Sequence, residues 1–296
     1  MNIERSGRDD VNEPFRYMVG STEVLVVPDG FRSSPLADGF IRNAPREEVN
    51  AALVEYGMPP DQVTIVFNPV VLRTGSQLVL IDAGNGEGRS ADAGRLEGNL
   101  LEAGIDPAKI DAVVISHFHR DHIDGLLRPD GTSRFPNAAI MVPIPEWTFW
   151  MDDGEKARAS EGRMQELFEN SRRVFKDLGP QVQQYASGDE VSPGLQAVAT
   201  PGHSIGHTSF MLSSGGKSVF LQCDVTNHPA LFVRHPGWHA SFDQDPIQAE
   251  ATRRKTYEML VSEQIPVQGF HHPMPGLSVV ERYRDGYRLV PLTGVS

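Results

Sequence analysis

A single cysteine, Cys223, stands in a chain of 296 residues. No disulfide can close within it, and nothing in the sequence asks for an oxidising compartment. Basic side chains are also scarce. There are 27 Lys plus Arg against 39 Asp plus Glu, a formal charge of −12, and no basic run. Nucleic-acid binding rests on neutralising phosphates with a basic surface, so DNA and RNA are excluded as partners, and an anionic membrane surface is disfavoured for the same reason. No apolar run is long enough to span a bilayer. Residues 1–10 are polar and charged and lack the apolar core of a signal peptide. Together these absences predict a cytoplasmic protein that acts on a small molecule. There is no tandem repeat, low-complexity segment or linker, so the chain is read as a polar tail over residues 1–15 and a single catalytic domain over 16–296.

The hydrophobic patterning predicts many strands with interspersed helices, a mixed α and β class. Strands are expected at 22–27, 63–72, 77–81, 112–116, 138–142, 181–185, 195–200, 208–212 and 218–222, and a closing hairpin at 279–284 and 287–291 about Asp285-Gly286. Residues 31–45 read as a loop. Helices are expected at 46–56, at 96–103 and, as one long amphipathic element, at 155–178. A further helix at 246–262 would have Asp245 as its N-cap and Pro246 at its first position.

The chemistry concentrates in Ser116-His117-Phe118-His119-Arg120-Asp121-His122. Four potential ligands fall in the spacing H-x-H-x-D-H, directly after a wholly apolar strand. Alternate residues of an extended segment point the same way, so His117 and His119 can share one ion, while the following turn carries Asp121 and His122 to a second point. Four such groups crowd one ion and leave no room for substrate; two adjacent ions use them better. Further candidates lie at strand ends: His203 in the glycine-rich turn at 200–208, Asp224 after an apolar strand, and the neighbouring His271 and His272.

These marks resemble the metallo-β-lactamase fold superfamily: LIDAG at 80–84, HFHRDH at 117–122, PGHSIGHT at 201–208, Asp224, and HHPMPG at 271–276. The last of these, with DQDPIQAEATRRK at 243–255, looks most like the branch of methyl parathion hydrolase and the N-acyl-homoserine lactonases. The resemblance implies a four-layer αββα sandwich with the metals at one edge of its two sheets. It gives one ion His117, His119 and His203, the other Asp121, His122 and His271, with Asp224 bridging. His271 is selected because the family's ligand stands two residues before the first proline; His272 is the alternative. The resemblance also implies that Asp82 lies beneath the metals and orients a ligand His, and it suggests a homodimer. Cys223 replaces a common glycine, and its thiol is an alternative soft-metal ligand. Ile205 replaces a common proline.

Imidazole and carboxylate donors without thiolate suit zinc, with manganese, iron or cobalt as other occupants. Two such ions sharing a water lower its pKa from about 15.7 towards 7 and polarise a carbonyl or phosphoryl oxygen. The expected reaction is therefore hydrolysis of a hydrophobic lactone, ester or phosphotriester by a metal-bridging hydroxide, with Asp121 or Asp224 handling the proton. Phe118, Trp147 and Trp150 are the candidate apolar pocket. His207 is expected to be a structural hydrogen-bonding residue, and His228, His235 and His239 to be loop residues. Two other reactions belong to the same fold: thioester hydrolysis of the glyoxalase II type, and an iron-dependent oxygenase resembling persulfide dioxygenases.

Overall fold

The computed structural model describes residues 13–88 and 90–292. The expected tail therefore falls, over its first twelve positions, outside the described residues, and Phe15 already begins a paired strand.

Alternating apolar residues build two seven-stranded sheets. The first runs, in spatial order, through β1 (Phe15–Val19), β2 (Thr22–Val26), β5 (Val70–Thr74), β6 (Gln77–Ile81), β7 (Ala112–Val114), β8 (Ala139–Pro143) and β9 (Val182–Tyr185). Its last four strands are parallel. The second comprises β10 (Glu190–Ser192), β11 (Leu195–Ala199), β12 (Thr208–Ser214), β13 (Lys217–Cys223), β14 (Val267–Gly269), β15 (Leu277–Tyr283) and β16 (Gly286–Pro291), mostly antiparallel with a parallel β13–β14 pair.

Period-2 side-chain alternation splits each strand between two cores. Val24, Val26, Val79, Ile81 and Val114 meet Leu195, Ala197, Phe210, Leu212 and Leu221 between the sheets. Leu25, Leu80, Val113 and Ile140 face outward, under α2 (Leu96–Glu102) and α6 (Arg163–Phe175). On the far side, Phe220, Val267 and Val280 lie under α7 (Pro246–Glu263) through Tyr257 and Leu260. The layers are α, β, β, α, as expected. Each fully buried Val, Leu or Phe contributes about 1.5–3 kcal/mol, and these three clusters hold the sandwich shut.

Several expectations are corrected. β3 (Gly30–Pro35) runs from Gly30 into the loop expected at 31–45, paired antiparallel with β4 (Gln62–Phe67). The expected strand at 63–72 is two strands. Pro69 has no N–H for a ladder, and there the chain passes from the β3–β4 ribbon to the first sheet. The long helix expected at 155–178 is α5 (Asp153–Arg158) and α6, parted by Gly162 at φ 84°. A further helix, α4 (Ile144–Met151), precedes them, and α1 (Arg46–Glu55) lies where expected. Asp245 caps α7 as expected, accepting from the Ile247 and Gln248 amides. No helix among the described residues is long and apolar enough to cross a membrane.

Candidate metal centre

The parallel strands β6 and β7 end side by side, and the segment that follows β7 carries the histidine motif over their carboxyl ends. His119 precedes the short helix α3 (Arg120–Ile123), which turns Asp121 and His122 back towards the sheet edge. The second sheet delivers the remaining groups: His203 from the β11–β12 turn, Asp224 after β13, and His271 after β14. The β11–β12 turn needs glycine at 202, where φ is +127° and a Cβ would come within 2.2 Å of the Ala249 amide nitrogen.

All seven side chains meet. Ligand atoms of His117, His119 and His203 lie within 4.8 Å of one another, and so do those of Asp121, His122 and His271. Asp224 stands between the groups. Its Oδ1 is 3.1 Å from His122 Nε2, and its Oδ2 is 3.2 Å from His203 Nε2 and 3.0 Å from His271 Nε2. Asp121 Oδ2 reaches within 3.5 Å of His271 Nε2 and 3.7 Å of His122 Nε2.

The outer nitrogens fix what the inner ones present. His122 Nδ1 donates to Asp82 Oδ2 at 2.8 Å, His203 Nδ1 to Asp243 Oδ1 at 2.9 Å, and His271 Nδ1 to the Val66 carbonyl at 2.7 Å. With Nδ1 held outside, each ring turns its Nε2 inward, onto a carboxylate oxygen. His117 Nε2, His119 Nδ1 and His203 Nε2 also converge, at 3.0 and 2.8 Å. His119 Nε2, His122 Nε2 and Asp224 Oδ1 are buried without a hydrogen-bond partner. Buried lone pairs facing one another are costly unless a cation or a proton lies between them. Carboxylates and carbonyls on the outer nitrogens are the usual supports of metal-bound histidines. The donor set therefore fits two divalent cations.

The electrostatics agree. Burial, then the imidazoles of His122 and His203 respectively, push His117 and His119 well below the ordinary histidine range, so both are neutral. Burial lowers His122 and His203 too, but carboxylates outweigh it. Asp224, Asp82 and Asp121 hold His122 well above its usual value, and Asp224 with Asp243 raises His203 to about 9. Burial pushes Asp224 up, yet His271, His122 and His203 together hold it well below the carboxylate range. Cation binding would displace the protons that the carboxylates hold on His122 and His203.

The neighbouring candidates separate on geometry. His207 Nε2 accepts from the Asp224 amide at 2.9 Å, and its Nδ1 donates to the Thr200 carbonyl at 3.0 Å, so both nitrogens are committed to structure. His272 turns away from His271, with its Nε2 2.8 Å from Gln222 Nε2 and its ring against Gly269. The Cys223 side chain belongs to the inter-sheet core. Burial, then Asp82 and Asp224, pushes its thiol well above the usual range and keeps it neutral. Asp82 lies beneath the site, accepting from the Ser116 amide and hydroxyl as well as from His122.

The expected pocket is corrected. Phe118 and Trp150 are fully buried, and both belong to the core between the first sheet and its helices. Trp147 packs against that core, edge-on to Phe175. A phenylalanine inside a ligand motif looks exposed in one dimension, but on an extended segment it points opposite to its neighbours, here into the core. Half-buried Phe242 lies beside the site, 5.7 Å from the His203 ring and 5.6 Å from Phe40. Asp243 and Phe242 were missed in the sequence because nothing local distinguishes them from a loop.

Comparison with known proteins places the chain in a family. The family model described as the Metallo-beta-lactamase superfamily matches residues 68–256. The chain is 26% identical over 250 residues to the N-acyl homoserine lactonase AiiA of Bacillus thuringiensis subsp. kurstaki, covering 81% of this chain and 86% of that one. It is 32% identical over 116 residues to the N-acyl homoserine lactonase AttM of Azorhizobium caulinodans, covering 37% and 38%. Among solved structures it resembles AidC, a dizinc quorum-quenching lactonase, with TM-score 0.90 and 23% identity over 97% of this chain and 100% of that one. It also resembles the hydrolase AbOPH, with TM-score 0.88 and 24% identity over 95% and 98%. The family match spans well over half of the chain, and the protein belongs to the metallo-β-lactamase superfamily.

Proposed function

We propose that the chain is a metal-dependent hydrolase that opens small hydrophobic lactones, with N-acyl-homoserine lactones the first class to assay. The observation that carries this reading is the inward convergence of three histidine Nε2 atoms on Asp224, each ring held by an outer hydrogen bond. His117, His119 and His203 would hold one cation, Asp121, His122 and His271 the other, and Asp224 would touch both. Two divalent cations, zinc by the chemistry of the donors, would supply Lewis acidity towards the carbonyl oxygen and water acidified towards a pKa of about 7. The lactonase relatives support the substrate class.

The chain's own groups divide the remaining work. Asp224 is enclosed by histidines and serves as a fixed anion. More accessible than Asp224, the Asp121 side chain is 26% exposed. Its Oδ2 receives the proton of the attacking water and passes it to the ring oxygen as the C–O bond breaks. The product is a hydroxy acid. Phe242 and Phe40 offer an apolar wall beside His203 for an acyl chain. The net charge of −12 disfavours polyanionic substrates.

The test is metal analysis of protein purified without added metal, paired with hydrolysis of an acyl-homoserine lactone, a γ-lactone, an aryl ester, a thioester and a phosphotriester. About two zinc per chain, with lactone turnover lost on chelation and restored by zinc, is the expected result. About one iron per chain, oxygen uptake with a persulfide and no hydrolysis would overturn it. Faster turnover of the ester, thioester or phosphotriester would keep the chemistry and replace the substrate.

A further inference from the structure

One buried carboxylate near the metal centre belongs to neither ligand group. Glu146, in the first turn of α4, has no solvent exposure. Its Oε2 accepts from the Phe118 amide at 2.9 Å and from the Trp150 indole Nε1 at 2.8 Å. Its Oε1 accepts from the Ser204 hydroxyl at 2.6 Å and from the Gly206 amide at 2.7 Å. Two backbone amides and an indole can only donate, so three of the four partners demand an acceptor. Burial pushes this carboxyl up, and the Ser204 hydroxyl, the Gly206 and Phe118 amides and the Trp150 indole oppose it.

The position of these donors gives the arrangement its meaning. Phe118 lies between His117 and His119, and Ser204 directly follows His203. The two loops spring from different sheets, and only three residues, His117, His119 and His203, must meet from them at the first metal position. Glu146 reaches from a third element and holds both loops by charge-assisted bonds, the stronger kind. The fit is close: a Cβ on Gly206 would come within 2.6 Å of the Glu146 amide nitrogen. No bond from Glu146 reaches Asp121, His122 or His271.

We propose that Glu146 is a positioning residue that selectively sets the His117–His119–His203 metal position by clamping the two loops that supply it. This rests on the metal reading above. A glutamine here retains one acceptor oxygen and turns an NH2 group towards donors that cannot accept. The loops should part, and one metal position should loosen while the other holds.

Zinc release from the purified holoenzyme into a competing chromogenic chelator reads the two ions separately. For Glu146→Gln, one zinc per chain should leave at a chelator concentration about ten- to a hundredfold lower than in the wild type, the range expected for losing an outer support of a metal site. The second zinc should stay bound. Ser204→Ala removes a single loop donor and should shift the same ion in the same direction by less. Trp150→Phe removes a donor that holds no ligand loop and should leave both affinities unchanged, even if the melting temperature falls. The cobalt-loaded Glu146→Gln protein should lose the visible absorption of one ion only. If Glu146→Gln does not fold, Ser204→Ala alone decides. Both ions held as tightly as in the wild type, or both weakened equally, would overturn the inference. A wild type that never holds two ions would instead overturn the reading of the site on which it rests.

Discussion

Three histidines of the site share one arrangement, Nδ1 held from outside and Nε2 turned in, and it is the outer partner that differs: Asp82, Asp243 and a backbone carbonyl. The carboxylate partners are the testable ones. Asp82→Ala frees His122 Nδ1 and also strips the Ser116 amide and hydroxyl of their acceptor. Zinc affinity should fall about 10- to 100-fold, read by chelator competition. Unchanged affinity would show that His122 is oriented by packing alone, for instance by the Phe270 ring stacked on it at 4.2 Å. Asp224→Asn removes the one carboxylate that touches both groups, and at least one of the two ions should be lost on elemental analysis. Phe242→Ala should raise KM for long-chain acyl lactones several-fold while leaving kcat within about twofold, because an apolar wall binds ground and transition states alike. An equal change for short and long chains would remove Phe242 from the acyl wall.

At the scale of elements, the site depends on turns more than on strands. Gly202 sits at φ +127°, with the Ala249 backbone 2.2 Å from where a Cβ would be. Gly202→Ala should cost about 2–4 kcal/mol, combining backbone strain with overpacking, and should loosen zinc by displacing His203. Urea titration and metal analysis of the same sample would check both. The elements whose sequence reading failed failed for tertiary reasons. Residues 30–35 lack strong alternation, and they are a strand because β4 lies beside them. The helix expected at 155–178 keeps its apolar stripe in α6, while Gly162 ends its continuity upstream. Phe118 and Trp150 were assigned to a pocket by proximity in sequence, and packing put them in the core.

Across the whole molecule, two sheets each contribute part of one centre, so removing the metal should be felt globally. A ligand held at about a thousand times its dissociation constant stabilises the folded state by about 4 kcal/mol. Chelated protein should therefore melt roughly 5–10 °C lower, given the size scaling for a chain of this length. Differential scanning calorimetry with and without zinc would measure it, and an unchanged melting temperature would mean that the cations do not tie the sheets together. The sequence by itself determined the mixed α and β class, through strand alternation and helical stripes, and the candidate ligands, because His-x-His-x-Asp-His after a buried strand has few other uses; the layer order was implied by the family resemblance those motifs carry. Only the tertiary structure turned His271 towards Asp224 and His272 away towards Gln222, brought Asp243 and Glu146 beside the histidine loops, and put Phe118 in the core with Phe242 next to His203. Those placements depend on contacts between residues 28 to 205 positions apart in sequence, which carry no local mark of that neighbourhood.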